Sequence, residues 1–182
     1  MIERAEGNPL YLRELALAVD TSDAPNRVLP TGIEGVVQAR IDRIPHTLLK
    51  GLQACAVLGR EFAGDGLMAL LGGKEATEEV LRQLIAGRFL QRVVTSQLQH
   101  SNYRFEHGLL QQVVYRGLDS QSRRVLHGRA ALWSLEHLRP NHPEDLADAA
   151  WHFQQAGDNA RSVSYWLKAG SAAQASAASD LA

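Results

Sequence analysis

Between Tyr103 and Leu118 the spacing of apolar residues changes period inside one unbroken stretch, YRFEHGLLQQVVYRGL. Tyr103, Phe105 and His107 alternate with Arg104 and Glu106, the two-residue repeat of a half-buried strand. Leu110, Val114 and Leu118 then fall four apart, with Leu109 and Val113 beside them, which predicts a helix over 108–118. A strand that runs straight into an amphipathic helix has two faces to bury, and the segments on either side supply the partners.

Upstream, Leu12, Leu15, Ala16 and Val19 make one helical face behind Gly7-Asn8-Pro9, where Asn8 suits an N-cap and Pro9 a first turn. Residues 20–31 are polar and turn-rich. Thr31 to Ile44 reads as a helix with Ile33, Val36, Val37 and Ile41 inward, and Thr31 with Glu34 fits a capping box. Helices follow over 46–58, 65–71 and 74–86, each closed by glycine. Strand formers occupy 89–94, and a polar turn leads into the strand from Tyr103. The order helix, helix, helix, strand, turn, strand predicts a winged helix with a two-stranded wing over 45–118. Downstream, helices are expected over 122–138, 144–156 and 159–175. The last two flank Gly157-Asp158 and carry small residues at their crossing (Ala149, Ala156, Ala160, Ala169), the pattern of a tetratricopeptide-like pair. One such pair cannot cover its own apolar face, so exposed apolar surface and self-association are expected. The fold class is therefore mainly α, in three parts: 1–44, 45–118 and 119–182.

Composition changes this picture little. The 182 residues carry 19 basic and 20 acidic side chains, where a dedicated nucleic-acid binder is usually clearly basic. The single cysteine, Cys55, lies on an apolar helical face and reads as a core residue in a reducing compartment. No apolar run is long enough to span a membrane, and MIERAEGNPL has no secretory pattern, so the expected location is cytoplasmic.

Six stretches occur in one order: GNPLYLREL, LPTGIEGVVQARIDRIP, LLKGLQACAVLGREF, YRFEHGLLQQVVYRGL, RRVLHGRAALWSLE and AWHFQQAGDNARSVSYWLKAG. Together they resemble the C-terminal half of a STAND-type ATPase module, an AAA-like branch of P-loop proteins. Such modules occur with bacterial class III adenylate or guanylate cyclases, with kinases and with large transcriptional activators. The resemblance covers nearly the whole chain. It implies a helical lid fragment over 1–44, with Gly7, Asn8 and Pro9 as adenine contacts for ATP or ADP in the whole protein. It also implies a winged helix that holds the nucleotide domain shut, and repeats that sense a ligand or partner. The phosphate-binding loop G-x-x-x-x-G-K-[ST] is not in this sequence: Gly73-Lys74 is followed by Glu75, and Met68 stands at the first glycine position. The expectation is a non-catalytic regulatory piece with no cofactor of its own. Its partner would be an upstream nucleotide-binding domain or another protein.

Other chemistry finds little support. His100 and His107, or His137, His142 and His152, do not have the spacing of a four-ligand metal site. No Gly-x-Ser-x-Gly elbow accompanies Cys55. Glu75, Glu78 and Glu79 favour a helix dipole and a solvated face. Duplex binding would place the helix 74–86 against phosphates, which those carboxylates oppose. Arg88, Arg92, His100 and Arg104 on the wing, and the cluster Arg116, Arg123, Arg124 and Arg129, are the available cations. The alternatives are a free-standing winged-helix DNA binder, or a helical adaptor using Trp151, Phe153, Tyr165 and Trp166.

Overall fold

A computed structural model describes residues 32–93, 102–139 and 142–179. Helix α1 spans Ile33–Ile41 and α2 His46–Leu58. Strand β1 (Glu61–Ala63) leads into α3 (Gly64–Leu71) and α4 (Lys74–Ala86). Strands β2 (Leu90–Val93) and β3 (Asn102–Phe105) follow, then α5 (Gly108–Arg116). The chain continues as α6 (Ser120–Glu136), α7 (Pro143–Ala156) and α8 (Asn159–Ser179). The protein is mainly helical with one small antiparallel sheet.

That sheet has three strands in the order β1–β3–β2, not the two expected. Residues 61–63 are too short to display a repeat, so nothing in their sequence marks a strand. They pair because Phe62 lies opposite Tyr103, their rings stacked at 6.0 Å, while Glu61 faces Arg104. On the other edge Leu90 opposes Phe105. Tyr103 and Phe105 both point inward, as their alternation requires. His107 leaves the strand and becomes the N-cap of α5.

The apolar faces of α2 to α5 and the sheet close one core, built on Leu52, Leu67, Leu84, Leu90, Phe105 and Leu110. A Cβ at Gly51 would sit 2.5 Å from a Val80 methyl, so α2 and α4 approach as they do only because residue 51 has no side chain. Helix α1 joins through Val36, Val37 and Ile41, and through the buried Arg40. The Arg40 guanidinium donates to the carbonyls of Gly87 (2.6 Å) and Arg88 (2.8 Å) and lies over the Phe89 ring at 4.3 Å. Those carbonyls close α4, where Arg88 takes the left-handed conformation at φ 56°. A fixed planar cation thus satisfies the end of another helix.

Several helix ends differ from expectation for local reasons. The N-cap of α1 is Gly32, which makes no side-chain cap bond. Thr31 lies outside the described residues, and Glu34 meets Arg116 at 3.2 Å. Helix α6 begins two residues early because Asp119 accepts from the Gln121 and Ser122 N–H groups. Pro143 is the first residue of α7, where its missing N–H costs nothing.

Helices α7 and α8 form a hairpin through Gly157, whose φ of 86° favours glycine. Ala149, Ala150 and Ala169 are buried, and Phe153 of α7 stacks on Tyr165 of α8 at 5.6 Å. Ala160, expected at this crossing, is exposed. Helix α6 packs both ways: Ala130 belongs to the first core, and Arg129 donates to the Leu70 carbonyl at 2.7 Å.

Candidate functional site

The seam between the α2–α5 module and the α6–α8 array holds a buried polar chain. Tyr115 comes from α5, His127 from α6 and His152 from α7. The Tyr115 hydroxyl lies 2.9 Å from His127 Nε2, and His127 Nδ1 lies 2.9 Å from His152 Nδ1. His127 is 0% exposed and His152 7%. Trp151 sets its ring edge-on to His127 at 4.9 Å and shields the pair. Above Tyr115, Arg123 lies 4.9 Å over the ring and donates to the Tyr115 and Leu118 carbonyls.

Both imidazoles are neutral. Burial, then the neighbouring His152 and Arg123, push His127 down to about 3. Burial alone pushes His152 down to about 4. Burial raises the Tyr115 hydroxyl, and Arg123 partly offsets it. Two proton arrangements satisfy the chain. Either Tyr115 donates to His127 and His127 to His152, or every bond reverses. A bond chain satisfied in both directions fixes how three helices meet without placing a charge in the core.

His152 is among the histidines whose spacing does not suit a metal, and His127 carries no motif. Its sole sequence signal is its spacing three residues before Ala130, a buried residue of α6. Elsewhere His137 donates to the Trp133 carbonyl at 2.9 Å, and His142 sits 3.4 Å from Asp145. Among the described residues no three His, Cys, Asp or Glu side chains gather as a metal site. Cys55 is fully buried and its thiol is pushed up by burial, which makes it a poor nucleophile. Gly7, Asn8, Pro9 and His100 lie outside the described residues.

The outer face of α4 keeps its charges to itself. Glu79 takes Arg82 at 2.6 Å and also accepts from Gln83, and Lys74 stands 3.8 Å from Glu78. On the sheet Arg104 meets Glu61 at 3.3 Å, and Arg92 lies over Tyr103. The cluster Arg116, Arg123, Arg124 and Arg129 is dispersed: three of the four are held by Glu34, Tyr115 and Leu70. Of the four aromatics named for partner capture, Phe153 is 1% exposed and belongs to the interior. Trp151 and Trp166 reach solvent.

No protein-family model and no curated protein matches this chain. No helix among the described residues is long and apolar enough to cross a membrane.

Proposed function

We propose that this chain is a non-catalytic regulatory piece of a STAND-type signal-transduction ATPase, working by domain packing and protein contact. The observation that carries the reading is topological. Helix α2, β1, α3, α4, β2 and β3 follow in the order of a winged helix, with the third strand between the other two. A helical array leaves it directly through α6, and α7–α8 reads as a tetratricopeptide-like pair. In the whole protein a nucleotide-binding part, with Gly7, Asn8 and Pro9 against the adenine of ATP or ADP, would favour one packing of the winged helix. A ligand on the repeats would favour another.

Tyr115, His127 and His152 give such a switch a physical element, because they tie the module to the array with bonds that need all three helices in place. The test is the native polypeptide in cell extract, probed with antiserum against residues 45–170. A species well above 20.0 kDa that carries adenine nucleotide is expected. A native species of this length, free of nucleotide, refutes the reading.

One observation favours a second reading, the helical adaptor. Val163, Trp166 and Leu167 stand 59%, 44% and 68% exposed on one side of α8. Residues of that type at that spacing suit capture of an apolar helix. Duplex binding has no such support, since the carboxylates of α4 face where phosphates would lie. A labelled random duplex should show no shift even at low salt.

A further inference from the structure

A cavity of about 430 Å³ opens between the start of α3, the C-terminal end of α6 and the first turns of α7, lined by Asp65, Trp133, His137, Arg139, Asp145 and Asp148. Its back wall is aromatic. The Trp133 ring rests on Gly66, and His137 stacks on Trp133 at 4.8 Å, with planes 29° apart. Its charge is lopsided. Arg139 is consumed by Asp145 in a two-pronged pair at 2.7 and 2.9 Å. Asp148 remains as a carboxylate over the cavity, with no hydrogen-bond or ion-pair partner among the described residues. The buried indole N–H of Trp133 also finds no acceptor among them.

We propose that this cavity binds a small, flat organic cation, an amidinium or guanidinium, seated against the wall that Trp133 and His137 form and hydrogen-bonded to Asp148. Carboxylates alone would suit any hydrated cation. The aromatic wall selects against an inorganic ion, which gains nothing from an apolar surface, and for a planar cation that stacks as it pairs. A concave site with an apolar wall and a few polar groups is also the usual form of a small-molecule pocket. Partial burial and the like charges of Asp145 and Glu144 raise the Asp148 carboxyl, and a paired cation would oppose that rise by favouring the ionised form. The cation could be a free small molecule or the side chain of an arginine peptide. Either would bridge α3 to α6 and α7. The site stands on the cavity and does not depend on the signalling reading.

The experiment is thermal unfolding of the full chain at neutral pH with millimolar benzamidine, neutral benzamide, anionic benzoate or a capped Gly-Arg-Gly peptide. Benzamidine or the peptide should raise the midpoint by about 3 °C at saturation, and benzamide and benzoate should not. The stronger of the two cations names the source. Asp148→Asn removes a destabilised carboxylate from a half-open position, so it should fold, and it should weaken the cation about tenfold. Trp133→Phe keeps the wall and should weaken it less. No shift with either cation overturns the proposal. So does an equal shift with benzamide, or a shift that Asp148→Asn leaves unchanged.

Discussion

The two halves of this protein are held together by different means. The α2–α5 module has a dense core of leucines, Phe62 and Phe105 wrapped around a three-stranded sheet. The α6–α8 array meets through alanines, one stacked aromatic pair and two buried histidines, and leaves Val163, Trp166 and Leu167 outside. Large side chains lock one geometry because removing any of them opens a void. Alanines let helices lie close but specify their register poorly, so the array relies on directional bonds at the seam. The module therefore resists change, while the array is held to it in part by seam bonds that protonation of His127 or His152 breaks.

The largest effects should fall in the module. Phe105→Ala removes a fully buried ring at the meeting of sheet and helices and should cost about 4 kcal/mol, read as a lower urea midpoint. Ala149→Gly, at a buried position of α7, should cost about 1 kcal/mol. Similar losses at both sites would erase the contrast. Arg40→Ala comes next, at about 3 kcal/mol, because it strands the Gly87 and Arg88 carbonyls as well as losing the stack on Phe89. Arg40→Lys should recover little, since a point charge cannot reproduce the fork.

The seam should show itself through pH. His127 and His152 ordinarily protonate near 6.5 and are held at about 3 and about 4 in the folded chain. The unfolded chain therefore binds more protons below 6.5, and stability is lost as pH falls. The contribution is complete above about pH 6.5 and declines through the window down to 3. Between pH 7 and 5.5 the pair should account for a loss of about 2 kcal/mol, half of it gone in His127→Gln. Urea unfolding at the two pH values checks this. Other groups titrate at lower pH, so the difference between wild type and variant carries the argument.

Much of the fold could be read from spacing. The helical periods of Leu48 to Val57 and Leu109 to Leu118 lie where helices form, and the alternation at Tyr103 and Phe105 lies in β3. What escaped was set by distance or brevity. Strand β1 has three residues and no period, and it exists because Phe62 finds Tyr103, 41 positions later in the chain, opposite it. Asp119 falls between the expected helices 108–118 and 122–138, and its role as a cap rests on the N–H groups of Gln121 and Ser122. The seam was least legible. His127 sits in an unremarkable helical pattern, and its partner comes from another helix, so only tertiary packing pairs them. The cavity is similar: Trp133 and His137 are one helical turn apart, but Asp65 and Asp148 come from different helices.

The smallest expected effect tests the other side of the comparison. Trp166→Ala and Leu167→Ser change residues that are 44% and 68% exposed, so little buried area is at stake. Monomer stability should move by no more than about 0.5 kcal/mol. If the outer face of α8 is where the array meets a partner or a second copy, the same double variant should abolish concentration-dependent association in sedimentation velocity. Stability and association would then separate, as expected when an apolar face serves contact outside the fold. If the double variant instead unfolds at a much lower urea concentration, that face is part of the fold's own support. The array would then be as tightly specified as the module, and its apolar exterior would no longer distinguish it.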